Sequence, residues 1–179
     1  MKYLDGGGLI DPFYVDQYEM SELYYEDAIN GDGNLDNYLL NLNDFPKSDI
    51  SYLDAKDLCL LRTNSLKDMV NYQYELNGSN EFDLPTIEQW QYIVGDDEYS
   101  FGNFINSYRM NYYLSGDIYT DSIPPKTPVG FYDGNNLNTI YSASIDSIFD
   151  LNGNVKEWVN IDNEDSSYLI DACNWEFRQ

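Results

Sequence analysis

The stretch Ile148-Phe149-Asp150-Leu151-Asn152-Gly153-Asn154-Val155-Lys156-Glu157-Trp158-Val159 decides how the rest of this chain is read. Oxygen-bearing side chains surround a single glycine, and an aromatic residue stands on each side. Asp, Asn and Gly supply the backbone conformations that a tight turn needs. Two readings are open from the residues alone. The oxygens suit a hard cation such as calcium, or the segment is an Asx-type turn that seats Phe149 and Trp158 in the core without a metal. Short strands are expected on the C-terminal side, near Lys156–Ile161 and Tyr168–Phe177.

Working back toward the N-terminus, Leu84-Pro85-Thr86 opens a helix. Thr86 is its N-cap, Gln89 completes a capping box, and Ile87, Trp90, Ile93 and Val94 form the buried stripe. Trp90, Tyr92 and Trp158 are read as core residues rather than ligand platforms. A longer helix is expected over Ser51–Arg62, with Ala55, Leu58, Cys59 and Arg62 at helical spacing. That places Cys59 on an apolar face and not in the role of a nucleophile. Ser21 caps a helix over Glu22–Asn30, which ends at Gly31. The alternation in Phe13–Tyr18 reads as a strand. Residues 1–12, with Gly6-Gly7-Gly8 and Asp11-Pro12, are expected to form an N-terminal arm, and residues 13–179 one domain. From Gly95 to Asn138 the chain is loop-rich. Short helices, small antiparallel sheets and long loops make the expected class α+β.

Composition narrows the function. The chain of 179 residues carries a net charge of −23 with nine Lys and Arg, which disfavours a nucleic-acid backbone or an anionic membrane surface. Cations and basic protein surfaces are the natural electrostatic partners. Histidine is absent, so imidazole-based triads and histidine-ligated zinc or copper sites are excluded. The two cysteines, Cys59 and Cys173, lack CxxC spacing and are expected as buried free thiols, with a disulfide as the alternative. No stretch approaches the ~20 apolar residues that cross a bilayer, and the N-terminal residues do not read as a cleaved signal. With 18 Tyr and 8 Phe, much of the core must be aromatic. Tyr with Asn, Ser and Gly in the Ser100–Tyr141 loops is the composition of an adaptable binding surface; biased composition alone is the competing account. Asp32, Asn34 and Asp36 fall at EF-hand positions, but Asn37 and Asn43 stand where the template needs Gly and Glu, so this segment is read as a polar loop.

Four segments, in order, resemble the formylglycine-generating enzyme (sulfatase-modifying factor) family, whose fold is C-type-lectin-like. PFYVDQYEMSELYYEDAI resembles its F-x-I-D-x-Y-E-V-T opening strand and helix. FPKSDISYLDAKDLCLL resembles P-V-x-x-V-S-W-x-D-A-x-x-Y-C. FDLPTIEQWQYIVGDDEYSFGN resembles F-R-L-P-T-E-A-E-W-E-Y-A and the W-G-N turn. TPVGFY and IFDLNGNVKEWV resemble A-P-V-G-S-F and G-L-Y-D-M-x-G-N-V-W-E-W-V, and this last match is the most specific. The resemblance implies calcium held by Asp150, the carbonyls of Gly153 and Val155, and Glu157. It implies a second, weaker calcium site from Asn111, the Tyr112 carbonyl, Asp121 and the Ile123 carbonyl. Either ion would be structural.

The departures from the family carry as much weight. From Ser167 the chain reads SYLIDACNWEFRQ, and no pair of cysteines occupies the family's catalytic positions. Copper-dependent oxidation needs two thiolates around a soft Cu(I) ion, so no copper and no enzymatic activity are expected. The sequence therefore points to a non-catalytic binding or structural protein. The leading expectation is a virion component of a virus or phage, decorating a capsid or tail or binding a host surface. Its partners would be other virion proteins, copies of itself, or a host glycan or protein, and its location the virion or otherwise the cytoplasm. A calcium-stabilised carbohydrate-binding or accessory domain is the alternative. An oxidase completed by a partner chain is the second.

Overall fold

The computed structural model describes residues 1–30, 44–68, 81–97, 99–112, 115–119, 125–136, 139–141, 147–160 and 167–170. Their order is β1 (Lys2–Leu4), β2 (Phe13–Val15), α1 (Glu22–Asn30), α2 (Tyr52–Asp68), α3 (Ile87–Val94), β3 (Glu157–Asn160) and β4 (Ser167–Ile170). β1 and β2 form one antiparallel pair and β3 and β4 another. The class is α+β.

The expected N-terminal arm supplies a strand. Lys2, Tyr3 and Leu4 pair with Val15, Tyr14 and Phe13, and Gly7 and Ile10 close the intervening turn by two backbone hydrogen bonds. Gly6 has φ +69°, and a Cβ there would stand 2.2 Å from the Ile10 carbonyl oxygen, so only glycine fits. Leu4 is 3% exposed and belongs to the main apolar cluster, which the sequence alone did not signal.

The three helices begin where their capping residues place them. The Ser21 hydroxyl accepts from the Tyr24 N–H, and the Asp44 carboxylate accepts from the Leu23 N–H, so two free amides of α1 are satisfied. At α2, Ser51 and Asp54 exchange side chain-to-backbone hydrogen bonds in a capping box. α2 runs on to Asp68, beyond the expected end at Arg62. No proline or glycine interrupts residues 63–68, which explains the continuation. At α3, Thr86 and Gln89 form the full capping box, and Gly95, at φ +88°, ends the helix.

Ala55 and Leu58 of α2 are buried, as their spacing requires, and Arg62 turns inward to a two-pronged ion pair with Asp16 on the segment after β2. Cys59 is a half-buried free thiol that burial pushes up to about 11, so it stays protonated at neutral pH. Cys173 lies outside the described residues, as do the EF-hand-like stretch from Asp32 to Asn43 and the C-terminal part of the second expected strand.

The core cluster gathers Leu4, Trp90, Ile93, Val94, Ile148, Leu151 and Val159, with Phe13 and Val15 packed against it. Side chains from β1, β2, α3, the 148–151 segment and β3 thus share one apolar interior. Trp90 is 2% exposed, in keeping with its place on the stripe of α3. Tyr92 is 39% exposed and meets Phe13 edge-on, so it is a surface residue where a core one was expected. Trp158 is half-buried, with its indole N–H donating to the Ile50 carbonyl and its ring edge-on to Tyr52. Among the described residues no helix is long and apolar enough to cross a membrane.

Candidate functional site

The turn that opened the sequence reading lies at the junction of the core with the loops. Asp150, Gly153 and Asn154 all have φ near or above +58°, the left-handed region that Asp, Asn and Gly reach most readily. A Cβ on Gly153 would stand 2.0 Å from the backbone oxygen of Asn111, so the close approach of that loop depends on glycine here.

Each polar side chain of the turn holds a different piece of chain. Asp150 Oδ2 takes a very short hydrogen bond from the Gly130 N–H. Asn152 Oδ1 accepts from the Ser100 N–H at 2.8 Å. Asn154 is the hub. Its backbone N–H donates to the Asn111 carbonyl at 2.9 Å. Its side-chain oxygen accepts from the Thr127 N–H at 2.9 Å, and its side-chain nitrogen donates to the Thr127 carbonyl at 3.1 Å and to Glu19 Oε2 at 2.7 Å. Loops from residues 100, 111 and 127–130 are therefore anchored on one five-residue turn, Asp150–Asn154. The paired use of both amide atoms on one backbone unit is specific to Asn or Gln.

Three carboxyl groups lie within electrostatic reach of one another here: Glu19 from the segment between β2 and α1, Asp150 from the turn, and Glu157 from the first position of β3. Loss of hydration raises all three. Asp150 is pushed up to about 7 by burial, against the opposing pull of the Gly130 N–H. Glu157 is likewise raised to about 7 by burial and by the nearby Asp150 charge, against the Trp90 indole N–H that it accepts at 2.5 Å. Glu19 is raised well above the usual carboxylate range by burial, then by the charges of Asp150 and Glu157; Asn154 and the Val155 N–H oppose the shift. Glu19 Oε1 is sealed from solvent and has no hydrogen-bond partner.

The expected calcium ligands can be placed on this geometry. Asp150 opens the turn and Glu157 begins β3, close enough to influence one another, with Gly153 and Val155 between them in sequence. Among the described residues no group of three or more His, Cys, Asp or Glu side chains is arranged to hold a metal ion. A cation at this turn would rest on two carboxylates and backbone carbonyls, a donor set of hard oxygens that fits calcium. The ion would supply the positive charge that the desolvated carboxylates lack. The second expected site divides differently. Asn111 is 3% exposed, and its side-chain nitrogen donates to the Pro125 carbonyl at 2.9 Å. Tyr112 follows it, while Asp121 and Ile123 lie outside the described residues.

Sequence reasoning missed Glu19, Asn154 and Gly130 as site residues. For Glu19 the available signal was its place beside Tyr18 in the opening strand segment, which gives no hint of a partner so far along the chain. Comparison with protein-family models, with curated proteins and with solved structures returns no match.

Beyond the anchoring turn, the loops carry exposed apolar side chains. Phe104 is 85% exposed, and Ile105, Tyr108, Ile140 and Tyr141 are each about half exposed. The two loops that bear them are joined: the Ile140 N–H donates to the Tyr108 carbonyl at 2.7 Å, and Arg109 donates to the Tyr141 carbonyl at 3.1 Å. In the same loops, the Asp133 carboxylate accepts from the Asn135 and Asn136 N–H groups, and Asp97 accepts from the Asn103 side chain.

Proposed function

We propose that this chain is a non-catalytic binding protein on a C-type-lectin-like scaffold, in which a calcium-stabilised turn holds a display surface of loops. The observation that carries this reading is the exposed set Phe104, Ile105, Tyr108, Ile140 and Tyr141 on two mutually bonded loops. Large apolar groups exposed on neighbouring loops characterise a protein-contact surface. Supporting it is the turn, whose Asp150, Asn152 and Asn154 side chains anchor the loop backbones. Calcium at Asp150, Glu157 and the carbonyls of Gly153 and Val155 would fix the same backbones and offset the buried negative charge. The resemblance of four segments to the formylglycine-generating enzyme family supports the scaffold, and the missing cysteine pair supports a non-catalytic role.

The setting that fits a display scaffold with this composition is a virus or phage particle, where the partners are other virion proteins or a host-surface protein. The experiment is a binding comparison on purified particles. The chain is identified in the particle by mass spectrometry, and reconstitution of chain-depleted particles is then measured with wild-type protein and with Phe104→Ser/Tyr108→Ser. Wild-type protein is expected to rebind and the double variant to lose at least ~10-fold in affinity, as loss of two aromatic anchors implies. Absence of the chain from particles removes the virion setting; equal rebinding by the variant removes the surface.

A further inference from the structure

We propose that Arg109 makes the two display loops a receptor for a carboxylate of a partner protein, taken up beside apolar side chains at the junction where the loops meet. This rests on reading those loops as a contact surface. The chain has 32 acidic residues and nine basic ones, and Arg62 is spent on Asp16 in a two-pronged pair. Arg109 is used differently: among the described residues no carboxylate pairs with it. Its Nη1 donates to the Tyr141 carbonyl at 3.1 Å, and its guanidinium carbon lies 5.7 Å from the centre of the Phe101 ring. Both supports are themselves fixed. Phe101 stacks on buried Tyr99 at 5.6 Å, and Tyr99 and Gly102 exchange two backbone hydrogen bonds. The Tyr141 ring meets buried Phe149 edge-on at 5.4 Å, and a Cβ on Gly134 would stand 3.0 Å from the Tyr141 nitrogen.

A guanidinium carries N–H donors in a flat fork, and the Tyr141 carbonyl takes only one of them. The other donors sit on a partly exposed side chain, with exposed Tyr108, Ile140 and Tyr141 as its neighbours. That fork matches the two oxygens of a carboxylate, and holding it in place beforehand removes much of the ordering cost of binding. Phosphate recognition draws on clustered arginines, whereas Arg109 is the only basic residue between Lys67 and Lys126. Sugar hydroxyls would gain nothing from Ile105 and Ile140, so a protein carboxylate next to an apolar side chain fits better than an acidic glycan. The net charge of −23 opposes an acidic patch on the partner. Charges beyond ~8 Å are largely screened at physiological ionic strength, so an isolated carboxylate in contact with Arg109 keeps its attraction.

The test follows the Arg109 Nε–Hε signal by NMR in the full chain. The probes are the blocked dipeptides acetyl-Ile-Glu-amide and acetyl-Ile-Gln-amide, with glucuronate as an acidic sugar. The Glu peptide is expected to shift the signal saturably and to bind ~3-fold or more tighter than the Gln peptide, the scale of a partly exposed bidentate pair. Glucuronate is expected to bind no better than the Gln peptide. Arg109→Gln should bind the two peptides equally, read on the backbone signals of Tyr108 and Tyr141. Arg109→Lys, which keeps the charge without the fork, should keep only part of the preference.

Equal affinity for the two peptides, or no saturable shift, overturns the carboxylate role of Arg109, and so does a preference that survives in R109Q. Glucuronate binding as tight as that of the Glu peptide overturns the choice of a protein partner. The wild-type comparison needs no variant, so it decides the matter even where R109Q fails to fold. On particles the two readings part. R109Q that rebinds like wild type, while Phe104→Ser/Tyr108→Ser does not, overturns the carboxylate and leaves the contact surface standing. Rebinding by both removes the surface itself.

Discussion

Helix α3 and the turn Asp150–Asn154 meet the same core, yet they are held in opposite ways. α3 is made by its own neighbourhood: Thr86 and Gln89 cap it, Gly95 ends it, and Trp90, Ile93 and Val94 bury one face. The turn makes almost no use of its neighbours in sequence. Its side chains bond to residues 19, 100, 127 and 130, and its backbone takes a bond to residue 111. Burial holds the helix, and directional polar contacts hold the turn. The helix therefore tolerates loss of one contact, whereas the turn has strict requirements of shape and charge.

The widest separation between the two is expected from Gly153→Ala. A methyl group would meet the Asn111 oxygen at 2.0 Å in a backbone conformation with φ +81°. Loss of the loop anchor and backbone strain together should cost about 4 kcal/mol or more, read as a failure to give a cooperative urea transition. A variant with wild-type stability would show that loop 111 does not depend on the turn.

A smaller effect separates the regions by pH. Asp150 and Glu157 are raised to about 7 in the folded protein, so between their unfolded values near 4 and that pH the folded state holds more protons than the unfolded one. Stability from this source is full below pH ~4, falls as the pH rises toward 7, and levels off above it. In chelator, Tm is expected to drop by ~5–10 °C from pH 5 to pH 8. With calcium present the drop should shrink, because the ion binds the deprotonated carboxylates. A chelated protein with a flat profile would show that these groups are better solvated than their burial implies.

The smallest change belongs to the helix. Thr86→Ala removes one half of the capping box and should cost about 1 kcal/mol, or ~2–4 °C in Tm for a chain of this size. Its effect should not depend on calcium or pH. Dependence on either would mean that α3 and the turn behave as one polar unit through the Trp90–Glu157 bond.

The same contrast explains what was legible in advance. The capping signals read at Ser21 and Thr86 lie within four residues of the amides they serve, so these helix positions follow from local chemistry. The end of α2 was set too early, because nothing local distinguishes Arg62 from the residues that continue the helix to Asp68. β1 was read as an arm because its three residues gain strand character only by pairing with Phe13–Val15. Tyr92 was read as core because an aromatic on a helix does not by itself reveal which face the tertiary packing will cover.

The sequence by itself determined the α+β class, the helix starts, and the turn built on Asp150, Gly153 and Asn154, since each depends on backbone preferences and contacts of short range. Only the tertiary structure brought Glu19 against Asn154, 135 residues away, and beside Asp150 and Glu157. The cost of burying a charge is a property of its surroundings, and those surroundings exist only once distant parts of the chain have met.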